Sequence, residues 1–292
     1  MEIRALQAFL AVTRAGSFSK AADEESVSQP ALSLTIQALE RDLGCRLFHR
    51  GRGVSLTPAG ERLRAHCQHL MPWLEDIRDD LAQVEGGLKG TIRPGVLESL
   101  LLYVMPGLLA RFAGKHPAVT FQFVMKETAD IEPAVLAGDC HFGLVSRPPV
   151  SRRLEEIRLT GFPHVLVTAA GHRGGAARLL RERPLFVLGD WQQEVLRERT
   201  DLFAKSPPAT VLRPINHVAV VRQLVARGLG AAVLPAYVKG PDLRVVRAFP
   251  DLQMSVFLVR KPDRRPLAAA ERFMEFLLGE FGQGGKRRPG GA

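Results

Sequence analysis

Apolar residues recur every three or four positions through the first part of the chain, and short polar turns interrupt the pattern. This spacing is typical of amphipathic helices. The first helix should end at Gly16, because glycine suits the left-handed position after a helix. Either Ser17 or Ser19 can cap a second helix over residues 18 to about 25. The pattern therefore predicts two consecutive short helices.

A third helix is predicted after Ser28, which can cap it, with Pro30 in its first turn and Gly44 at its end. The expected buried stripe consists of Ala31, Leu32, Ile36, Leu39 and Leu43. The opposite face, which we call the reading face, consists of Gln29, Ser33, Leu34 and Gln37.

The reading face is uncharged, whereas solvated helix faces mostly carry Lys and Glu. Gln29 and Gln37 can each form two hydrogen bonds with adenine in a DNA major groove, and Leu34 can contact a thymine methyl group. The alternative is an ordinary polar surface helix without charge. The neighbouring segment favours base recognition.

That segment, "HRGRGVSLT", places apolar residues on both sides of a turn at Gly51-Arg52-Gly53 and predicts a two-stranded ribbon after Leu47 and Phe48. Arg50 and Arg52 would lie at its tip, where they can contact phosphates or enter the minor groove. Together with the preceding helices, the ribbon predicts a winged helix-turn-helix over residues 1–58.

A long linker helix is predicted over residues 59–89, with Thr57 as its cap and Pro58 in its first turn. Its apolar residues alternate in steps of four and three, the spacing of a two-helix dimer seam. Pro72 falls on the side opposite the seam, and Gly86-Gly87 and Gly90 end the helix. The predicted dimerisation residues are Leu63, Cys67, Leu70, Leu74, Ile77, Leu81 and Val84, followed by Leu88.

From residue 91 onward, short apolar runs alternate with helical patterns, which predicts α/β lobes built on parallel sheets with ligands at the carboxyl ends of the strands. We expect a ligand-binding domain over 90–281, with one lobe at about 90–160 plus 266–281 and the other at about 161–265. "TIRPGVL" and "VTFQFVM" each predict one strand, and "LLLYVMPGLLARFAGKHP" predicts one helix. The helix "LAAAERFMEFLLGEF" should return to the first lobe, and residues 282–292 form a basic tail that we expect to be disordered.

The formal net charge of +10 lies mainly outside the predicted DNA-binding unit. Through residue 60 there are seven Lys and Arg against six Asp and Glu, and residues 61–90 carry a net −2. The DNA-binding prediction therefore depends on the arrangement of residues and not on bulk basicity.

Neither a signal peptide nor a membrane span is indicated, so the expected location is the cytoplasm. Cys45, Cys67 and Cys140 show no metal-ligand spacing and are expected to be buried free thiols, with a peroxide-sensing pair as the alternative.

The N-terminal sequence resembles the DNA-binding region of the LysR-type transcriptional regulators over some sixty positions. The matching segments are Ala21-Ala22, Ser28-Gln29-Pro30-Ala31-Leu32-Ser33, Leu39-Glu40, Leu43-Gly44, Leu47-Phe48, Arg50 and Leu56-Thr57-Pro58-Ala59-Gly60. Members of that family commonly have a basic residue where this chain has Leu34. The resemblance implies an α+β protein with a winged helix-turn-helix, a linker helix and a two-lobed effector domain like a periplasmic binding protein.

In the C-terminal part, "MPGLLARFAGKHP", "VLAGD" and "LVARGLGAAVLP" are similar to the effector domain of the family, whereas His141 stands where relatives usually have Asp. The resemblance places Glu98, Ser99, Thr128, Arg147, Asn216, His217, Leu234 and Pro235 near a small-molecule effector. Helix N-termini and the excess of arginine favour an anion, although dispersed arginine is usually a solvated surface. Ser99 and Asn216 can instead be simple helix caps, and His217 an exposed loop residue.

The preferred interpretation is a ligand-responsive transcription factor that binds a pseudo-palindromic DNA site as a homodimer and acts on the transcription machinery. The resemblance implies a tetramer, while the seam supports a dimer. No cofactor, metal or membrane partner is expected. An enzyme is the first alternative, with Glu98, Arg147 and His217 as conceivable catalytic groups, but none of the common catalytic motifs occurs. A DNA-bending structural protein is the second alternative.

Overall fold

The computed structural model describes residues 1–49, 54–188, 208–212, 217–262 and 267–282, with backbone alone at positions 80 and 82–86. Contacts divide the chain into two compact units, Met1–Arg78 and Asp79–Ala292. The predicted domain boundaries at residues 58 and 89 stay predictions. The helices described in the N-terminal region are α1 Ile3–Ala15, α2 Phe18–Glu24, α3 Gln29–Leu43 and α4 Pro58–Gly86.

The predicted helix ends of the first unit are confirmed by their backbone geometry. Gly16 and Gly44 adopt left-handed φ values of 62° and 66° at the ends of α1 and α3. The side chain of Ser17 accepts a hydrogen bond from the backbone N–H of Lys20, and that of Ser28 accepts one from Ala31. Local capping chemistry therefore sets where these helices begin and end.

The buried stripe of α3 is narrower than the sequence predicts. Leu32, Ile36 and Leu39 are buried in the core of the first unit, but Ala31 is exposed and Leu43 is 38% exposed. Both of these residues lie in terminal turns of the helix. The prediction was wrong at these two positions.

The base of the predicted ribbon is present. Phe48 forms an antiparallel bridge with Leu56, and the N–H of His49 donates to the carbonyl of Ser55 at 2.9 Å. The ring of Phe48 packs against Phe9 and Phe18, with centroids 5.4 and 5.5 Å apart. The predicted tip with Arg50 and Arg52 lies outside the described residues.

Helix α4 runs without interruption through Pro72 and ends at Gly86, as predicted. However, the first part of its apolar seam packs on the chain's own core. Cys67 is 1% exposed within that core, and Leu63 and Leu70 are partly buried against it. Cys67 therefore cannot serve a dimer contact, because its side chain is covered within one protomer. The prediction for this residue was wrong.

The second unit contains ten described strands and six described α-helices, together with a short 3-10 helix at Ala236–Val238. The strands are β1 Gly90–Ile92, β2 Pro94–Val96, β3 Val119–Phe121, β4 Val124–Met125, β5 Phe142–Val145, β6 Glu155–Ala169, β7 Leu185–Phe186, β8 Val211–Leu212, β9 Ala231–Pro235 and β10 Leu243–Arg260. The helices are α5 Glu98–Tyr103, α6 Met105–Lys115, α7 Thr128–Ala137, α8 Ala176–Glu182, α9 Val218–Ala226 and α10 Ala268–Gly282.

Eight of the strands form one sheet in the order β4-β2-β5-β10-β6-β9-β7-β8, and β1 pairs with β3 in a separate parallel ribbon. The expected parallel pairing is confirmed for β4, β2 and β5 and for β9, β7 and β8. It is wrong for β6 and β10, which are long and antiparallel to each other and to their other neighbours. Strand β10 was absent from the sequence prediction. The two strands form a shared central pair, with β4, β2 and β5 on one side and β9, β7 and β8 on the other.

The central pair changes register between Phe249 and Gln253, opposite His164 and Pro163. At this point the buried ring of His164 makes a hydrogen bond with the carbonyl of Leu252, 3.0 Å from Nδ1. Burial lowers the pKa of His164 below its ordinary value of 6.5. The irregularity is therefore stabilised by a neutral imidazole.

Three of the predicted elements are divided in the structure. Residues 98–115 form two helices, α5 and α6, because Pro106 has no N–H to continue the first and begins the second. "TIRPGVL" and "VTFQFVM" each contribute a strand to the separate ribbon and another to the main sheet.

Helix α10 returns to the first part of the second unit, as predicted. Phe273, which is fully buried, packs against Phe112 and Phe121 with centroid distances of 4.8 and 4.9 Å. This core also contains residues of β2, β5 and the end of β10. Within the described part of the chain, no helix has the length and apolar character that crossing a membrane requires.

Candidate DNA-binding and effector sites

The reading face lies on the exposed side of α3. Gln29, Leu34 and Gln37 are exposed, with Leu34 at 63%, and Ser33 is partly exposed. The Nε2 of Gln29 donates to the hydroxyl of Ser33 at 3.0 Å, so these two groups are already aligned on one side of the helix. The hydroxyl of Ser28 accepts the capping hydrogen bond from the N–H of Ala31, and Pro30 is exposed.

No charged side chain interrupts the reading face, because positions 29–39 contain none. The two acids that follow are directed elsewhere: Glu40 is 8% exposed, and Asp42 pairs with the amino group of Met1 at 3.2 Å. A carboxylate on this face would repel DNA phosphates. Its absence leaves a surface of amide, hydroxyl and apolar groups suited to the edges of base pairs.

Glu40 organises the segment that leads from α3 into the ribbon. One carboxylate oxygen accepts from the backbone N–H of Leu47 at 2.7 Å and of Phe48 at 3.3 Å, and the other accepts from Arg46 at 2.9 Å. This role of Glu40 was not predicted from the sequence. Its partners are six to eight residues away along the chain, and only the Leu39-Glu40 element of the family resemblance marked it.

Thr57 joins the same segment to the start of α4. Its hydroxyl donates to the carbonyl of Arg46 at 2.6 Å and accepts from the N–H of Gly60 at 3.1 Å. A Cβ at position 60 would collide with the carbonyl oxygen of Leu47, so glycine is required there. The predicted Thr57 cap is confirmed.

Beyond the part of α4 that packs on its own unit, apolar side chains are exposed. Trp73 is 49% exposed, Ile77 39% and Leu81 66%, and Leu74 is half-buried. The side chain of Val84 lies outside the described residues, and Leu88 packs against the core of the second unit. Leu74, Ile77 and Leu81 follow the steps of three and four expected of a helix that packs on another protomer, and Trp73 adds exposed apolar surface beside them.

In the second unit, the predicted effector residues follow the carboxyl ends of adjacent parallel strands. Glu98 and Ser99 come after β2, Thr128 after β4, and Arg147 after β5, and β2 pairs in parallel with both of the others. These residues are therefore gathered at one edge of the sheet, where α/β proteins bind ligands.

Ser99, 7% exposed, makes a hydrogen bond to the phenol of Tyr237, with 2.8 Å between the oxygens. Burial raises the pKa of Tyr237 to about 12, so the phenol stays protonated at neutral pH. Tyr237 was not predicted from the sequence. It lies in the 3-10 helix directly after the predicted pair Leu234-Pro235.

Glu98 and His217 meet although they are 119 residues apart. The Nδ1 of His217 lies 3.1 Å from a carboxylate oxygen of Glu98, at the N-terminus of α9. The structure therefore brings together three of the predicted residues, Glu98, Ser99 and His217, with Tyr237 as a fourth.

Thr128 and Arg147 belong to a second cluster. The hydroxyl of Thr128 lies 3.1 Å from that of Ser146, and Arg147 forms an ion pair with buried Glu132 at 3.4 Å. The other oxygen of Glu132 accepts from the N–H of Val150 at 2.9 Å. Arg147 is 45% exposed, so its guanidinium remains accessible to an anion despite this pairing.

Leu234 and Pro235 do not offer open surface. Both are buried in β9, and Leu234, 1% exposed, packs in the core formed with Val165 and Val221. The structure therefore assigns the Leu234 side chain to the core, contrary to the prediction of an effector contact. Asn216 lies outside the described residues.

The three thiols differ in exposure. Cys67 and Cys140 are buried as expected, but Cys45 is exposed, so the prediction was wrong there. Burial raises the pKa of Cys140 to about 12, which removes thiolate character at neutral pH. Across the described ranges, no three His, Cys, Asp or Glu side chains gather as a metal site would require.

Two family patterns match the chain. "Bacterial regulatory helix-turn-helix protein, lysR family" matches residues 3–61, and "LysR substrate binding domain" matches residues 85–282. The first range contains the reading face and the ribbon, and the second contains all the effector-site residues described above.

Curated relatives match over most of their length. The transcriptional regulator IlvR of Caulobacter vibrioides is 30% identical over 81% of this chain and 83% of its own. CbbR of Xanthobacter flavus is 27% identical over 99% of this chain and 91% of its own, and the RuBisCO operon transcriptional regulator of Allochromatium vinosum is 27% identical over 96% of both.

Solved structures share the fold. CbnR, described as a LysR family transcriptional regulator, is 22% identical with a TM-score of 0.74, covering 96% of this chain and 99% of its own. Full-length CbnR in complex with its target DNA gives a TM-score of 0.73 at 22% identity, covering 95% and 99% of the two chains. From the two family matches and these relatives, the chain belongs to the LysR family of DNA-binding transcriptional regulators.

Proposed function

We propose that this regulator recognises its DNA site by placing the reading face of α3 in the major groove. The observation that carries the proposal is the exposed, uncharged set Gln29, Ser33, Leu34 and Gln37 on a helix whose other side is buried. Amide groups can form paired hydrogen bonds with adenine, and the 63% exposed Leu34 offers an apolar contact to a thymine methyl group. CbnR, which shares the fold, is known in complex with its target DNA.

The DNA-bound form is a homodimer joined through the exposed apolar residues of α4, and pairs of dimers form a tetramer. Ile77 and Leu81 support this arrangement because they are exposed within one protomer at seam positions, and Trp73 adds exposed apolar surface beside them. Two reading helices joined in this way bind two half-sites of a pseudo-palindrome. The second half-site is then bound at high effective concentration, which offsets the weak basicity of each unit.

A small-molecule effector binds at the sheet edge that carries Ser99, Thr128 and Arg147, where hydroxyl groups and an accessible guanidinium favour an anionic group. The effector must bind one arrangement of the protein more tightly than another, and this difference changes DNA binding or bending and thereby transcription. Because its partner is DNA, the protein acts in the cytoplasm.

Selection of binding sites from random DNA, followed by titration of the selected site and of unrelated DNA, tests the proposal. Replacing Gln29 with Ala should lower the ratio of specific to nonspecific affinity by about tenfold, the value of one good base contact. The matched control is Gln7→Ala, an exposed glutamine on α1 that lies outside the reading face. Arg52→Ala should weaken binding to both DNAs and reduce the salt dependence.

Equal loss of affinity for all sequences on Gln29→Ala would contradict base recognition by α3. A footprint that stays the same with every metabolite tested would favour the DNA-bending structural protein over an effector-responsive regulator.

A further inference from the structure

Helix α5 contacts a different part of the second unit through three of its side chains. Glu98 meets His217 at 3.1 Å, Ser99 meets Tyr237 at 2.8 Å, and the guanidinium of Arg222 lies 5.9 Å from the ring centre of Tyr103. These partners are the N-cap residue of α9, a residue within α9 and a residue of the 3-10 helix. One short helix after β2 is thus held against elements from the opposite side of the central strand pair.

Tyr237 stands on the central strand pair itself. Its ring packs edge-on against Phe162 of β6, with centroids 4.8 Å apart, and its hydroxyl donates to the sulfur of Met254 in β10 at 3.1 Å. Phe162 and Met254 are register partners, next to the irregularity at Phe249 and Gln253. The Ser99–Tyr237 bond therefore ties the N-terminus of α5 to the strands shared by both sides of the sheet.

The supply of protons determines what Ser99 can offer a ligand. A phenol and a serine hydroxyl each have one proton to donate. When Tyr237 donates to Met254, the hydrogen bond to Ser99 must use the serine proton. Ser99 then has no proton left for an acceptor oxygen of an effector, and such an oxygen must replace that of the phenol.

We propose that Tyr237 is a determinant of the effector response: its phenol occupies the donor position of Ser99, and an effector acts by displacing it and releasing α5 from the 3-10 helix. The effector must then present a carboxylate or carbonyl oxygen at Ser99. This inference rests on the proposed effector site and adds a chemical requirement for the ligand and a route for its action.

The protonated state of the phenol fits this role. Because the pKa of Tyr237 is about 12, the group remains a neutral hydroxyl throughout the physiological range and does not compete as an anion. Met254 is a weak acceptor. The hydrogen bond to its sulfur therefore does not hold the phenol of Tyr237 in place when an effector oxygen binds the hydroxyl of Ser99.

Hydrogen exchange of the full-length protein, without DNA or ligand, tests the contact directly. The N–H groups of Leu101 and Val104 donate to the carbonyls of Leu97 and Leu100, which closes the first and last turns of α5, and their exchange reports the opening of this helix. Tyr237→Phe and Ser99→Ala should each accelerate that exchange between about threefold and tenfold, the effect of one net hydrogen bond. The double variant should exchange no faster than the single ones, because both remove the same bond.

Tyr103→Phe is the matched control, since it removes a phenol oxygen at α5 and keeps the ring beside Arg222. It should leave the exchange unchanged. Wild-type exchange in Tyr237→Phe, or multiplied effects in the double variant, would overturn the proposal.

The regulatory part is tested by footprinting on the DNA selected by the wild-type protein. Tyr237→Phe and Ser99→Ala should give the same altered footprint without any added ligand, while Tyr103→Phe should retain the wild-type pattern. Faster exchange with an unchanged footprint would refute a role in regulation. Failure of the wild-type protein to select any DNA would instead count against the proposed function, and the exchange result would still decide on the contact.

Discussion

The carboxylate of Glu40, in the last turn of α3, accepts a hydrogen bond from the backbone N–H of Leu47 at 2.7 Å. The same oxygen accepts from Phe48, and the side chains of Leu47 and Phe48 are 1% and 7% exposed. The first residues of the ribbon can be buried only because Glu40 accepts hydrogen bonds from their two backbone N–H groups. Buried donors without a partner would otherwise cost free energy.

Replacing Glu40 with Ala should destabilise the first unit by about 3 kcal/mol, because two buried N–H groups lose their acceptor. Glu40→Gln keeps an oxygen for both amides and loses only the pair with Arg46, which is 56% exposed, so it should cost less than about 1 kcal/mol. Urea unfolding of the full chain measures both values. Asp42→Asn is the control, as it alters an exposed acid on the same helix. Equal losses for the Ala and Gln variants would contradict this assignment.

Leu81→Asp should dissociate the proposed dimer, because a carboxylate would replace a leucine that is 66% exposed in the protomer and that the proposed helix pair would cover. We expect the dissociation constant to rise by about thirtyfold or more, as for a central interface residue. Analytical ultracentrifugation measures it. Cys67→Ser is the informative comparison: it should lower the stability of the first unit and leave association unchanged. If Cys67→Ser keeps its fold but no longer dimerises, Cys67 contacts the second protomer as the sequence predicted.

Stability should fall in mild acid because of His164. Its pKa in the folded protein is below 6.5, so the unfolded chain binds more protons as the pH drops through that value. The stabilisation is complete above about pH 7 and is lost as the pH falls towards the folded-state pKa. His164→Asn retains an N–H donor for Leu252 without a titrating group, and its unfolding free energy should change less between pH 7.5 and pH 5. His49→Asn, at an exposed position, should behave as the wild type.

One thiol should react rapidly with a disulfide reagent in the native protein. Cys45 is exposed, whereas Cys67 and Cys140 are 1% and 2% exposed, and burial raises the pKa of both buried thiols. Colorimetric titration should detect one fast thiol and two more after denaturation. Cys45→Ser should abolish the fast phase. Rapid reaction of two thiols in the wild-type protein would show that one of the buried sites opens.

Local chemistry made the helix ends of the first unit predictable. Ser17, Ser28 and Gly44 act on backbone groups within four residues, so their effect is visible in a short stretch of sequence. The reading face was predictable for the same reason, since spacing along one helix determines which residues share a side.

Contacts between distant residues were not predictable in this way. The seven-residue spacing of α4 is the same whether Cys67 faces a second protomer or the core of its own chain. In the structure Cys67 lies in that core. Strand β10 escaped prediction because Arg244, Arg247 and Pro250 break its apolar pattern, and its pairing partner lies some ninety residues earlier. Tyr237 likewise acquires its role from Ser99, 138 residues away.

The shared central pair has a consequence for synthesis on the ribosome. Both pairing partners of β9, β6 and β7, are synthesised before β9 itself. Strand β5 must wait for Phe257 and the residues after it, and the core around β5 needs Phe273 as well. The part of the effector domain made in the middle of translation can therefore fold before the part made first. Released chains that end near residue 250 should already protect β6 and β9 from proteases while β2 and β5 are still cleaved.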